Sequence, residues 1–143
     1  MERAKDIIAK FRNKGLKITP QRIAIFKSLG NRSGHPSAED VYRQIRQDYP
    51  SISLTTVYKT LQTLCEMGEL SEIHVCKERV FYDPISEPHH HMICLKCSRI
   101  QNIPASCVRG LKMLRRPKSK FHVINYQVRF GGYCGRCKRA ATP

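Results

Sequence analysis

Apolar residues recur every three or four positions through residues 1–68, which is the spacing of amphipathic helices. Gly15 and Gly68 fit helix C-terminal ends, and Ser37 fits an N-cap. The fourth predicted helix can be capped at its N-terminus by Ser53 or Thr55. The predicted helices cover about residues 3–14, 20–29, 38–49 and 54–67.

After Gly68 the apolar pattern changes to alternation. The segment "LSEIHVCKERVFYDP" reads as two short strands around "CKE", which predicts a β-hairpin. Helices followed by a hairpin are the order of a winged helix-turn-helix. The outer face of the fourth helix carries hydrogen-bonding side chains and a cation, which suits a helix in the DNA major groove, although many solvated helix faces look alike. These candidate DNA-binding residues are Thr55, Thr56, Tyr58, Lys59 and Gln62.

Beyond Pro84 the segments "HMICLKCSRIQNI" and "FHVINYQVRFGGYC" have strand-like runs, and "ASCVRGLKMLRRPKSK" between them favours a helix. This half is therefore predicted to be a small α/β unit. Its core is too small to be stable without a crosslink, such as a bound metal ion, or a partner subunit. The expected class is α+β. Its predicted domains are a winged-helix domain over residues 1–84 and an α/β domain over 85–143.

The chain is strongly basic, with a net charge of +15. Residues 1–83 hold 14 Lys/Arg and 10 Asp/Glu, whereas residues 84–143 hold 12 Lys/Arg and one carboxylate, Glu87. Such a charge points to a polyanionic partner, most commonly nucleic acid. The N-terminus is charged and amphipathic, and the chain lacks a long apolar run, so we expect a cytoplasmic protein with no membrane partner.

Two C-x-x-C pairs lie in the second half, Cys94 with Cys97 and Cys134 with Cys137. Four thiolates satisfy tetrahedral Zn²⁺, and a two-residue spacer lets one turn present both sulfurs. A structural zinc ion is therefore predicted, and a redox dithiol is the alternative. The other cysteines have no partner at ligand spacing and are expected to behave as small apolar residues: Cys65, Cys76 and Cys107.

Three consecutive histidines precede the first cysteine pair. In an extended segment His89 and His91 face one way and His90 the other. Two imidazoles on one face make half of a metal site, which Asp83 and His35 from the first half could complete. The alternative is a polar turn with solvated histidines.

The motifs "ITPQR", "GHPSAEDVY", "TTVYKTL", "YDP", "HHHMICLKC" and "CGRC", in this order, resemble the ferric uptake regulator (Fur) family of metal-dependent transcriptional repressors. The resemblance implies a winged-helix domain, a C-terminal dimerisation domain, a reading helix over 53–67 with Tyr58 as a DNA contact, and two metal sites. It implies structural zinc ligands at Cys94, Cys97, Cys134 and Cys137, and an interdomain regulatory site at His35, Asp83, His89 and His91.

The chain departs from the family pattern at Asn102, where the family usually has an acidic fifth regulatory ligand. A neutral amide should favour Zn²⁺ over Fe²⁺ or Mn²⁺, or leave an open coordination position. Some Fur proteins have an additional metal site, and of its ligand positions only His90 carries a ligand residue in this chain. That site should therefore be absent, and His90 should be solvated or in a supporting role.

With a single regulatory site, the chain resembles the peroxide-sensing PerR subgroup. The resemblance implies Fe²⁺ or Mn²⁺, or Zn²⁺, as the regulatory ion, and oxidation of His35 or His89 by peroxide. We therefore expect a homodimeric, peroxide-responsive repressor that binds operator DNA, with no small-molecule substrate beyond metal ions and peroxide. The alternative within the family is an iron- or zinc-responsive repressor.

Two other classes are also considered: a zinc hydrolase with an open water position, and a non-specific nucleic-acid-binding zinc protein. After Asp83 the sequence has one carboxylate, Glu87, so a second acid/base for hydrolysis is scarce there. The protein is accordingly expected not to be an enzyme.

Overall fold

The computed structural model describes residues 2–30, 34–76, 79–84, 87, 89–108 and 127–139. The chain divides into two compact units, Met1–Ser86 and Glu87–Pro143. Helices dominate the first unit and strands the second, so the expected α+β class is confirmed. In the part of the chain that the structure describes, no helix is long and apolar enough to cross a membrane.

The first unit has the order of a winged helix-turn-helix. Its strands pair as an antiparallel hairpin, with Ser71 opposite Asp83. The hairpin follows directly on the last helix, as the change of apolar period predicts. The described elements are α1 Glu2–Asn13, α2 Pro20–Gly30, α3 Ala38–Ile45, α4 Leu54–Glu66, β1 Ser71–Cys76 and β2 Arg79–Asp83.

Capping residues set the ends of these helices. Ser37 caps α3 in a reciprocal capping box with Asp40, and Ser53, not Thr55, caps α4 by accepting a hydrogen bond from the Thr56 backbone N–H at 3.0 Å. After α4 the chain leaves the helix at Gly68, whose φ of 74° suits glycine. The N–H of Glu69 then donates to the Leu64 carbonyl at 2.9 Å, which closes the helix end.

The third helix is shorter than the sequence predicts. It ends at Ile45, whereas the apolar pattern extends it to residue 49. The backbone N–H groups of Asp48 and Tyr49 both donate to the Ile45 carbonyl, at 3.1 and 2.9 Å, so the chain closes into a turn instead of adding another helical turn. Tyr49 still packs on the core from this turn, which satisfies its apolar position without a helix.

The core of the first unit gathers the apolar faces of its helices around two aromatic rings. Phe11 of α1 and Phe26 of α2 are fully buried, with ring centroids 4.8 Å apart. Val57 and Leu61 of α4 are also fully buried, so one face of α4 is fixed against the core. The opposite face of α4 therefore remains open to solvent.

The second unit contains a three-stranded sheet in the order β4-β3-β5. Its described elements are β3 His89–Cys94, β4 Ile100–Pro104, a 3-10 turn Ala105–Cys107, β5 Arg129–Gly132 and α5 Gly135–Arg139. The central strand β3 is antiparallel to β4 and parallel to β5. The helix predicted after residue 105 and stopped by Pro117 lies mostly outside the described residues and stays a prediction, whereas α5 was not predicted.

Candidate metal centres and reading helix

A tight turn presents the first cysteine pair. Cys94 is the last residue of β3, and its carbonyl accepts a hydrogen bond from the Ser98 N–H at 2.9 Å. Ser98 has a φ of 59°, in the left-handed region that non-glycine residues rarely adopt. The turn therefore reverses the chain within four residues and carries Cys97 on the same loop as Cys94.

The parallel pairing of β3 with β5 brings the second pair alongside the first. Cys94 lies opposite Gly132 at the end of β5, and Cys134 follows two residues later. The Cys134 backbone N–H donates to the Cys94 sulfur at 3.4 Å. Cys137 lies in the short helix α5. The end of β5 therefore positions the Cys134 sulfur, and α5 positions the Cys137 sulfur.

The four cysteine side chains can place their Sγ atoms within 4.8 Å of one another. The Cys97 and Cys134 sulfurs are 3.8 Å apart. Four sulfurs around Zn²⁺ at about 2.3 Å form a tetrahedron with edges of about 3.8 Å. The chemistry and spacing of this group, which we call the four-cysteine centre, therefore fit a structural zinc ion, and two converging pairs are more than a redox dithiol needs.

Hydrogen bonds within the four-cysteine centre give its thiols different pKa values. Backbone N–H donation from Cys134, and then from Cys97, lowers the pKa of Cys94 to about 6. The Cys134 side chain, in contrast, raises the pKa of Cys137 to about 12. A thiol that is already ionised opposes the ionisation of its neighbours, and a divalent cation removes that opposition because it binds all four as thiolates.

In the first unit, His35 and Asp83 form a buried pair. The loop before α3 lies against β2: the Tyr82 N–H donates to the Pro36 carbonyl at 2.8 Å, and Ser37 bridges to Phe81. This contact brings His35 Nε2 to 3.8 Å from Asp83 Oδ1, and both side chains are almost completely buried. The separation exceeds a hydrogen bond and lies within the span of two ligands of one ion at about 2.1 Å each.

In the second unit, His89 and His91 project from the same face of β3. Their Nε2 atoms are 3.0 Å apart. The backbone carbonyl of Glu87 accepts a hydrogen bond from His89 Nδ1 at 2.7 Å. Because a carbonyl only accepts, the neutral His89 ring carries its lone pair on Nε2, which is the tautomer and orientation that a metal ligand needs.

Asn102 and His90 flank this histidine pair differently. Asn102 pairs with His91 across β3 and β4, so the two side chains share a face of the sheet. Its Oδ1 is buried, and no described group donates a hydrogen bond to it. His90 is 3% exposed, and its Nδ1 accepts a hydrogen bond from the Val128 N–H at 3.5 Å. Of its two expected roles, the solvated one is wrong and the supporting one stays a prediction.

The solvent-facing side of α4 carries most of the residues predicted to contact DNA. Thr55, Tyr58, Lys59 and Gln62 are exposed at helical spacing on one face. Thr56 is half-buried, and its hydroxyl shares a hydrogen bond with Ser53 at 2.8 Å, so it contributes to the helix cap. The four exposed residues therefore form a continuous polar strip, which we call the reading face.

Sequence reasoning missed a residue beside the reading face. The Tyr58 hydroxyl donates to Glu39 Oε1 of α3 at 2.5 Å. Nineteen residues separate the two along the chain, and only the packing of α3 against α4 brings them together. In the sequence, Glu39 is one more acidic residue in the first turn of a helix, so its pattern carries no signal for this contact.

A winged helix, a basic chain and a four-cysteine centre together define a metalloprotein of the DNA-binding regulator class. The profile of the ferric uptake regulator family matches residues 13–131, and the chain belongs to this family. Its members are dimeric, metal-responsive, DNA-binding repressors, so the resemblance seen in the sequence motifs is confirmed.

Individual relatives include both iron and peroxide regulators. The chain is 30% identical to the peroxide-responsive repressor PerR of Staphylococcus saprophyticus, over 93% of this chain and 90% of the relative. The structure of the ferric uptake regulator of Francisella tularensis with iron is 26% identical, with a TM-score of 0.74, over 87% of this chain and 96% of that one. The structure of PerR from Streptococcus pyogenes is 27% identical, with a TM-score of 0.56, over 94% and 92%.

Proposed function

We propose that the chain is a homodimeric repressor that binds operator DNA when one regulatory ion is held by His35, Asp83, His89 and His91. The observation that carries this proposal is that each unit presents two ligand side chains at the spacing of one ion. Three imidazoles and a carboxylate are a donor set for Fe²⁺, Mn²⁺ or Zn²⁺. The four-cysteine centre holds a separate zinc ion that is structural.

The regulatory ion would couple metal supply to DNA binding. An ion bound by ligands from both units ties the winged helix to the dimerisation domain, and so favours the arrangement that fits a two-fold operator. Loss of the ion or of one imidazole removes that preference, and the DNA-competent state loses population. The reading face then contacts the bases, and the basic surface contacts phosphates.

Peroxide is the signal that the PerR relative supports. Bound Fe²⁺ supplies the chemistry by which peroxide oxidises a neighbouring imidazole. His35 and His89 are the proposed targets, and each would gain one oxygen atom. An oxidised imidazole is a poorer ligand, so the oxidation would weaken the metal-mediated link between the two units.

Asn102 tunes the metal preference of this site. Its Oδ1 has no described hydrogen-bond donor and shares a face with His91, so it can serve as a fifth, neutral ligand. With Asp83 as the single carboxylate, the ligands compensate only half of the charge of a divalent ion. Hard Fe²⁺ and Mn²⁺ gain less from such a set than Zn²⁺ does, which keeps iron- or zinc-responsive repression as the alternative.

Mass spectrometry of the Fe²⁺-loaded protein before and after peroxide tests the proposed signal. We expect one added oxygen atom on the peptide that contains His35 or the one that contains His89. Protein loaded with Zn²⁺ at the same site should gain none, because Zn²⁺ does not undergo redox reactions. If neither histidine is oxidised in the Fe²⁺-loaded protein, the peroxide assignment is wrong and metal homeostasis takes its place.

Competition between selected operator DNA and random DNA separates this proposal from non-specific binding. A specific repressor should prefer its operator by at least roughly a thousandfold at physiological salt. A non-specific zinc protein would show a steep salt dependence and little preference. An equal affinity for both DNAs would therefore contradict sequence-specific repression.

A further inference from the structure

The reading face contains a phenol whose proton is already engaged. Tyr58 is 42% exposed on α4, and its hydroxyl donates to Glu39 Oε1 at 2.5 Å. A phenol has one donor hydrogen, whereas its oxygen can still accept. From the solvent side, Tyr58 therefore offers an acceptor and no donor.

This restriction decides which DNA groups the phenol oxygen can bind. Phosphate oxygens only accept hydrogen bonds, so they cannot pair with an oxygen whose proton is donated elsewhere. In the major groove, the exocyclic amino groups of adenine N6 and cytosine N4 are donors. These amines are the base-edge groups that match Tyr58 in this state.

The charge of Glu39 maintains the arrangement. The hydrogen bond from Tyr58 lowers the pKa of Glu39, and the same bond raises the pKa of Tyr58. At neutral pH the carboxylate is charged and the phenol keeps its proton. A carboxylate beside a DNA-binding face weakens binding to phosphates, so its presence is consistent with a role in selectivity instead of affinity.

We propose that Glu39 is a specificity-determining positioning residue that holds the Tyr58 proton, so that the Tyr58 oxygen accepts a hydrogen bond from a base amino group and its hydroxyl does not donate to a DNA phosphate. The inference rests on the proposed DNA-binding function, since it assigns a role within the reading face. Glu39 itself need not touch DNA. It acts through the orientation and the engaged proton of Tyr58.

The test begins with selection of a preferred duplex from a random-sequence library by the zinc-containing, Mn²⁺-loaded, full-length protein. If wild type enriches no sequence, the proposed function itself fails. With a consensus in hand, each adenine is replaced in turn by the purine analogue lacking the N6 amine, and each cytosine by the analogue lacking the N4 amine. Affinities are measured for wild type and for Tyr58→Phe.

We expect one position in each half-site where loss of the amine weakens wild-type binding roughly tenfold. Tyr58→Phe should bind the duplexes with and without this amine equally well, because the variant lacks the oxygen that accepts from it. Whether the position is adenine or cytosine identifies the base that Tyr58 reads. If no amine position depends on Tyr58, the inference is wrong.

Two substitutions of Glu39 separate hydrogen bonding from charge. Glu39→Gln and Glu39→Ala remove the same negative charge, so both should bind random-sequence duplexes more tightly than wild type does. Glu39→Gln keeps a carbonyl acceptor for Tyr58 and should keep the tenfold amine effect, whereas Glu39→Ala should lose it. Glu39 is exposed, so neither substitution removes core packing, and circular dichroism checks folding. An amine effect of wild-type size in Glu39→Ala would overturn the positioning role.

Discussion

The two units of this protein are stabilised by different chemistry. The first unit buries a continuous apolar cluster from all of its described helices. From residue 87 on, the described residues that are both apolar and buried are Ile93 and Cys94, while His90 and His91 are buried polar groups. Apolar burial therefore stabilises the winged helix, whereas we expect the second unit to depend on a metal ion bound by its four cysteines.

The largest expected effect follows from removing the structural zinc. Cys97→Ser should abolish zinc binding at the four-cysteine centre and unfold the second unit, because structural zinc contributes about 10–16 kcal/mol to small metal-dependent folds. The first unit should remain folded on its own core. Amide hydrogen exchange across the full chain measures both units at once.

Cys107→Ser is the matched control, since Cys107 is exposed and lies outside the four-cysteine centre. This variant should retain one structural zinc ion per chain and normal exchange in both units. A Cys97→Ser protein whose second unit kept its protection from exchange would show that zinc does not maintain that unit.

The next largest effect is expected in the apolar core. Phe26 is fully buried against Phe11, so Phe26→Ala should lower the free energy of unfolding of the first unit by about 3–5 kcal/mol. Urea unfolding followed by circular dichroism measures this change. Zinc content should be unchanged, and loss of zinc from this variant would show that the units do not have separate sources of stability.

A smaller loss is expected at the N-terminus of the reading helix. Ser53→Ala removes the hydroxyl that accepts the Thr56 N–H and should cost about 1 kcal/mol in urea unfolding. Ser51→Ala, at an exposed turn residue two positions earlier, should change stability by less than about 0.5 kcal/mol. Equal effects at both positions would contradict the role of Ser53 as a cap.

The smallest effect is a gain in the cysteine turn. Ser98 has a φ of 59°, and Ser98→Gly should relieve backbone strain and stabilise the zinc-bound second unit by roughly 0.5–1 kcal/mol. Lys96→Gly, in the same turn without positive φ, should bring no gain. Resistance to a zinc chelator compares the variants, and greater resistance in Lys96→Gly would contradict the strain at Ser98.

Local signals in the sequence predict much of the first unit. Gly15, Gly68 and the Ser37 capping box mark helix ends that the structure contains, because caps and left-handed termini depend on neighbouring residues alone. The end of α3 was predicted too late, because a turn at Ile45 also satisfies the apolar position of Tyr49. Periodicity cannot distinguish these two solutions.

Long-range contacts explain what the sequence does not predict. The spacing of the cysteines indicates that four sulfurs meet, but the parallel pairing of β3 with β5 that joins them has no local signal. The same holds for the hydrogen bond between Glu39 and Tyr58, which depends on the packing of α3 against α4. Whether His35, Asp83, His89 and His91 share one ion stays a prediction.

The central claim, that this shared ion controls DNA binding, is tested most directly by the metal dependence of His91→Ala. Fluorescence anisotropy on the selected duplex should show wild-type affinity rising at least roughly tenfold with Mn²⁺. His91→Ala should lose this rise while remaining a zinc-containing dimer, and His74→Ala, altered at an exposed histidine of β1, should keep it. A metal response in His91→Ala equal to that of wild type would contradict the account.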